Sequence, residues 1–336
     1  MDSKKKIIFL KILIMNKTLL LLILTPIFLF SQIDDFQGFM DFSYDNDSGK
    51  IILNIEDLDK EFLYINSLSR GVGNNDLGLD RGQLGNSRIV YFTKRGNKIL
   101  LIQPNLKYIS KSENNLENKA VDEAFARSVL FGFDIIKQSK RSFQVDLTPF
   151  LINDIYGVAE RLKSTNSGSY SLNKSMSAID LDRTKAFPKN IEFDVLLTFT
   201  GNPSGNLVRS VTPTPSNLTV NQHHAFVELP DDNYKMRKFD PRSGSNPFIV
   251  YDCSTPIDDK LEQRFIVRHR LNKKFPDNEL SEPIQPIIYY IDNGTPEPVK
   301  SALIEGGNWW NQAFEKAGYK DAFRIEVLPE NADPMD

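Results

Sequence analysis

Residues 88–102 read Arg88-Ile89-Val90-Tyr91-Phe92-Thr93-Lys94-Arg95-Gly96-Asn97-Lys98-Ile99-Leu100-Leu101-Ile102. Two runs rich in β-branched and aromatic residues, Arg88 to Phe92 and Lys98 to Ile102, flank Arg95-Gly96-Asn97. That is the pattern of two antiparallel strands joined by a tight turn. Upstream the same grammar repeats. Phe39 to Tyr44 and Ile51 to Ile55 enclose a turn at Asp47-Ser48-Gly49, and Phe62 to Leu68 is a further apolar strand. Between Phe62–Leu68 and the hairpin lies Gly71-Val72-Gly73-Asn74-Asn75-Asp76-Leu77-Gly78-Leu79-Asp80-Arg81-Gly82. Its glycines admit positive φ, so a sharply turning loop is expected there.

Downstream, Val121, Ala124, Phe125, Ser128 and Val129 recur at helical spacing, and Phe150 to Lys163 forms a second helical segment before the loop Ser164 to Ser169. Strands are expected at Ile191–Phe199, Leu207–Val211, His224–Leu229 and Phe265–Val267, with Pro213 and Pro215 marking a turn. Near Asn272 the composition shifts. Pro276, Pro283 and Pro286, mixed with Asp277, Glu279 and Glu282, place a domain boundary close to Ser281. Beyond it the pattern becomes strand, helix, strand. Ile287–Ile291 is followed by a helix over Glu297–Ala317, N-capped by Thr295 with Pro296 at its first position and closed by Gly318, and then by Phe323–Leu328. Val299, Leu303, Trp310, Ala313, Phe314 and Ala317 form the apolar stripe of that helix. The expected class is therefore α+β: a strand-rich antiparallel domain over residues 33–280, followed by a strand-helix-strand unit over 281–336.

A chain of 336 residues accommodates two such domains. Lys and Arg total 41 against 44 Asp and Glu, a formal net charge of -3, which gives no electrostatic footprint for nucleic acid. The single cysteine, Cys253, excludes an intrachain disulfide and reads as a small packed side chain. At the N-terminus, Lys4, Lys5, Lys6, Lys11 and Lys17 precede or interrupt an apolar run through Phe30 that ends at Ser31-Gln32. This order predicts a cleaved signal peptide over residues 1–32, a secreted or periplasmic protein, and no membrane association after cleavage.

No catalytic, cofactor-binding or metal-ligating residue can be assigned from spacing. The three histidines are His223, His224 and His269. Adjacent His223 and His224 in a strand point to opposite faces, so they cannot grip one ion together. His269 lies between Arg268 and Arg270. No H-E-x-x-H pair is present. The glycine-rich loop lacks the Gly-Lys-Ser/Thr ending of a phosphate loop. Asn74, Asp76 and Asp80 offer oxygens to calcium, without the spacing of an EF-hand. Asp240-Pro241-Arg242-Ser243-Gly244 predicts an Asx-type turn, with Arg242 paired to a carboxylate at the edge of the core. Trp310 is expected in the buried stripe, and Trp309 over the sheet edge.

Several stretches, in order along the mature chain, resemble a bacterial family. They are Asn74-Asn75-Asp76-Leu77-Gly78-Leu79-Asp80-Arg81-Gly82-Gln83, Gln103-Pro104-Asn105-Leu106, Lys185-Ala186-Phe187-Pro188, His223-His224-Ala225-Phe226-Val227-Glu228-Leu229-Pro230, Phe239-Asp240-Pro241-Arg242-Ser243-Gly244 and Val267-Arg268-His269-Arg270-Leu271. The tail adds Pro296-Glu297-Pro298, Ala302-Leu303-Ile304-Glu305-Gly306, Trp309-Trp310-Asn311-Gln312-Ala313-Phe314 and Ala332-Asp333-Pro334-Met335-Asp336. The family comprises secreted zinc-dependent metalloproteases with a large N-terminal domain ahead of a metzincin-like catalytic domain. The resemblance implies that residues 281–336 open a zincin-type domain. It also implies that Zn2+ and a protein or peptide substrate belong to the intact protein, where zinc-activated water hydrolyses the peptide bond. The family's zinc-binding helix falls after Asp336, so none of its catalytic residues is carried onto this chain, which is expected to be an inactive N-terminal fragment. The competing expectation is a non-catalytic secreted binding module.

Overall fold

The computed structural model of the chain describes residues 33–333, and the leader expected over residues 1–32 lies outside the described residues. The first eight strands are β1 (Ile33–Phe36), β2 (Phe42–Asp45), β3 (Lys50–Ile55), β4 (Glu61–Arg70), β5 (Leu84–Arg95), β6 (Lys98–Gln103), β7 (Tyr108–Ile109) and β8 (Ser128–Gln138). The body continues with β9 (Phe143–Asp146), β10 (Gly168–Leu172), β11 (Ala178–Ala186), β12 (Asn190–Pro203), β13 (Asn217–Val227), β14 (Pro247–Asp252) and β15 (Glu262–Ile266).

Twelve of these strands form one antiparallel sheet in the order β1-β2-β3-β9-β8-β6-β5-β4-β13-β12-β10, with β11 also pairing to β12. The sheet curls onto itself. Phe42, on the second strand from one end, packs its ring 4.8 Å from Phe193 on β12, near the other end. The Phe39 amide donates to the Phe187 carbonyl across the same seam. The interior is aromatic: Phe62, Phe92, Phe150, Phe193 and Phe226 meet edge-on or tilted and are excluded from solvent. β15, β14 and β7 make a separate small sheet beside it.

The opening hairpin is present as read. Arg95 pairs with Lys98 across Gly96-Asn97, and Gly96 takes φ +60 while Asn97 keeps a negative φ, the signature of a type II′ turn. The upstream hairpin turns where Asp45 Oδ1 accepts the Asp47 and Ser48 amides.

Several helical and strand expectations are corrected. The first helix, α1 (Asn115–Ala124), starts at Asn114, whose side chain accepts the Leu116 amide. It stops before Ser128 and Val129, which belong to β8. There, cross-strand pairing with Gln103 and Ile102 overrides local helical spacing. The helix expected over Phe150–Lys163 is two short ones, α2 (Thr148–Leu151) and α3 (Val158–Ser164). Asp154 breaks it, because its carboxylate accepts the amides of Gly157, Val158 and Ala159 and so starts α3 afresh. Leu207–Val211 is a turn, not a strand. The Ser210 amide bonds back to Asn206 and the Val211 and Thr212 amides to Val208, which commits these groups to turns rather than to a ladder.

The C-terminal unit holds β16 (Ile287–Ile291), α4 (Val299–Asn308), α5 (Trp310–Lys316) and β17 (Phe323–Val327), with β16 and β17 paired in parallel. The helix begins at Val299, later than expected, and Thr295 makes no cap. Pro296 and Pro298 cannot donate, and Pro298 disfavours helical geometry in Glu297. Asn308 and Asn311 turn their side-chain oxygens to the Ile325 and Phe323 amides, satisfying the outer edge of β17. Gly318 follows the last turn at φ +88, as a C′ glycine. Among the described residues no helix is long and apolar enough to cross a membrane.

Candidate functional site

The densest polar chemistry lies where β11, β12 and β13 meet. Strand alternation sends Phe193, Val195, His224 and Phe226 inward and Glu192, Asp194, Asn221 and His223 outward. β11 then crosses that outer face irregularly. Asp180 pairs with Asp194 and Lys185 with Glu192, so four residues of β11 bridge a step that takes one residue on β12. The excess forms a bulge that lowers Arg183 and Thr184 onto the polar face.

His223 sits between two carboxylates, with Nε2 2.6 Å from Glu192 Oε2 and Nδ1 3.2 Å from Asp194 Oδ2. Burial opposes its charge, but the hydrogen bonds to Asp194 and Glu192 and their negative charges outweigh it and raise the imidazole to about 9. Burial likewise pushes Asp194 up, and the hydrogen bonds from His223, Ser69 and Asn221 more than reverse that, holding it below the usual carboxylate range. Asn221 Nδ2 donates to both Asp194 Oδ1 (2.7 Å) and Asp180 Oδ2 (3.0 Å), and Arg183 Nε lies 3.4 Å from Asp194. At neutral pH His223 is therefore a cation with both N–H groups committed. It acts as an ionic clamp between β13 and the two β12 carboxylates, while Arg183 and the Asn221–Asp180 bond tie β11 to the same centre.

Its neighbour has the opposite fate. His224 is fully buried, and burial, helped by the charge on His223, pushes it down to about 3. Gln222 fixes its tautomer. Gln222 Oε1 accepts the Tyr156 amide, and Nε2 donates to the Asn153 carbonyl and to His224 Nε2. His224 Nε2 thus accepts, and Nδ1–H donates to the Tyr64 hydroxyl at 2.9 Å. Sequence reasoning missed Gln222, as it missed Glu192, Asp194, Asn221 and Arg183 on the outer face. The only signal of Gln222 was a polar side chain at an inward position of β13.

The remaining sequence candidates are scattered. Asn74 Oδ1 accepts the Asp76 amide and Nδ2 donates to the Leu207 carbonyl, closing the 3-10 turn Asn75–Leu77. Arg161 Nε donates to the Leu77 carbonyl in the same turn, and Leu77 and Leu79 are buried. A Cβ at Gly71 would strike the backbone of Leu79, Asp80 and Arg81, which explains the glycine there. The Asx turn at Asp240 forms, but Arg242 pairs with Asp240 itself, in solvent, and with no core-edge carboxylate among the described residues. His269 lies in the segment where Arg268 stacks on Tyr234 and Arg270 pairs with Asp231. Cys253 is half-buried, and its amide bonds to Ile109. Trp309 and Trp310 are 65% and 62% exposed. Trp310 therefore does not belong to a buried stripe, because the short β16–β17 pair offers too little surface to cover it.

The zinc implied by the resemblance finds no ligand set here. Among the described residues no three His, Cys, Asp or Glu side chains converge as metal ligands, and His223 spends both ring nitrogens on carboxylates. The residues present do not fit the metal, so no reaction step runs through it.

The fold is that of a mostly-β, α+β protein, with a polar centre in which His223 is paired to Glu192 and Asp194. Residues 82–274, more than half of the chain, match the family described as Domain of unknown function (DUF5117), and the chain belongs to that family. No curated protein and no solved structure matches it.

Proposed function

We propose that this chain is the N-terminal portion of an exported zinc-dependent metallopeptidase. In this reading the strand-rich body is a non-catalytic domain over residues 33–280, and residues 281–336 begin the catalytic domain. The observation that carries the reading is the C-terminal unit. A parallel strand pair joined by a helical crossover is the nucleus of a layered α/β domain. Its apolar side chains Tyr289, Tyr290, Val299, Leu303, Trp309 and Trp310 are uncovered among the described residues, the state of a layer that packs against more of its own domain. The family resemblance of the tail supports the same reading. The reaction class is peptide-bond hydrolysis, with the metal ligands on none of these residues.

The deciding experiment is to sequence the gene beyond the codon for Asp336 and express the whole frame. A frame continuing to an H-E-x-x-H segment, with stoichiometric zinc and peptide hydrolysis in the product, is the expected result. A stop codon directly after Asp336 overturns the reading and leaves a secreted binding module. The 336-residue chain itself is expected to retain no zinc after dialysis. One zinc held per chain would contradict the assignment.

A further inference from the structure

β5 is longer than its partner on one side. β4 pairs with it from Leu84 to Tyr91, but β6 pairs only from Tyr91 to Arg95. Continuing the register past Ile102 would set Pro104 opposite Ile89, and proline has no N–H to give to a ladder. The strands separate there, and Leu84–Val90 keeps one unpaired edge. A groove of ≈ 590 Å³ fills the gap, walled by Ser87, Arg88 and Ile89 on one side and by Leu106, Lys107 and Phe248 on the other.

The chemistry of the groove is one-sided. Arg88 and Lys107 are its only charged side chains, with no carboxylate in its lining. Neither forms an ion pair among the described residues. Arg88 is held in place instead by Asn66 Oδ1, 3.3 Å from Nη1, and by the Tyr64 ring, 5.8 Å from the guanidinium carbon. Lys107 lies over the Tyr251 ring. Phe248, Ile249 and Leu106 add exposed apolar surface to the same groove lining. A guanidinium oriented by neutral partners, beside apolar contacts and a free strand edge, is suited to a carboxylate on an extended chain. The chain's own N-terminal leader, with five lysines, carries the wrong charge for it.

We infer that the open edge of β5 at Leu84–Val90 is a docking site for an extended segment of another protein that alternates apolar and acidic side chains. The segment adds as a strand beside β5, seats apolar groups against Phe248 and Ile249, and places a carboxylate on Arg88. This assignment is independent of the peptidase reading, since binding needs no catalysis.

The test uses the full chain and fluorescence anisotropy with three labelled peptides: one alternating valine and glutamate, one alternating valine and lysine, and the glutamate peptide N-methylated at alternate residues. The glutamate peptide is expected to bind. The lysine peptide and the methylated peptide are expected to bind at least roughly tenfold more weakly, through lost charge pairing and lost backbone hydrogen bonds respectively. R88Q is expected to lose about tenfold in affinity for the glutamate peptide, and the exposed-site variant K107Q a smaller factor, with unchanged circular dichroism. No binding of the glutamate peptide, or equal binding of the methylated one, overturns the inference. A concentration-dependent dimer dissolved by R88Q also overturns it, by giving the edge to a second copy of the chain.

Discussion

The curled sheet and the C-terminal β-α-β unit solve the same problem to different extents. Both must bury an apolar face. In the body, Phe62, Phe92, Phe193 and Phe226 are almost wholly excluded from solvent, and opposite ends of the sheet meet to enclose them. Among the described hydrophobic residues of the tail, Ala322 is fully buried and Ile287 and Ile291 nearly so, while Leu303 stays 50% exposed. The tail is held by backbone pairing, by Asn308 and Asn311 on the edge of β17, and by ion pairs to the body from Arg81 to Asp292 and from Lys185 to Asp333. A closed sheet supplies partners for its own side chains. A two-stranded sheet with one helical layer cannot, which is why the same residue types carry different energetic weight in the two regions.

The contrast is sharpest under substitution. Phe226→Ala should cost about 3–5 kcal/mol in chemical unfolding, whereas Leu303→Ala should stay within about 0.5 kcal/mol. Equal losses would mean that the tail is buried in solution. Native-state hydrogen exchange probes the same difference without mutation. Amides of Phe323–Val327 should exchange roughly a hundredfold faster than those of β12 and β13, and matching protection would make body and tail one cooperative unit.

Two smaller effects test what sets the body apart. Gln222→Ala strands the Tyr156 amide, the Asn153 carbonyl and His224 Nε2 in the core, and should cost about 2–3 kcal/mol. A neutral outcome would mean that water replaces the amide. The histidine pair then sets the pH profile. His223 is raised to about 9, so its contribution is complete below the ordinary histidine value near 6.5 and is lost as pH rises through 9. His224 is lowered to about 3, so the unfolded chain gains a proton that the folded chain refuses, and stability falls as pH drops below 6.5. The lowered Asp194 adds to that acid limb, its contribution being lost as pH falls. Stability should therefore peak near neutral pH. His223→Gln should remove an alkaline limb of roughly 3 kcal/mol and leave most of the acid limb from His224, which burial sets first and the His223 charge only second. An unchanged alkaline limb would remove the ionic clamp from the account.

Much of this was written in local pattern. The β5–β6 hairpin follows from Gly96 between two β-rich runs, and Ile287–Ile291 and Phe323–Val327 from short apolar stretches bounded by turns. The opposite orientations of His223 and His224 follow from strand alternation alone. Where local reading failed, a distant group had intervened. Val129 left its helical pattern for a cross-strand partner, and Asp154 restarted a helix by collecting three amides. The tail helix carries an apolar stripe in sequence, but burial depends on what lies opposite, so Trp310 could not be placed from spacing.

Sequence alone determined the strand-rich antiparallel class, the hairpin turns at Asp47-Ser48-Gly49 and Gly96-Asn97, and the change of pattern near Asn272, because backbone preference and alternation act between neighbours. Tertiary structure alone decided that the sheet curls so that Phe42 reaches Phe193, that His223 is charged and His224 neutral, and that Arg88, on the part of β5 that β6 leaves unpaired, is held by Asn66 and Tyr64. Each of these depends on groups distant in sequence being brought within a few ångströms, where burial and charge act together.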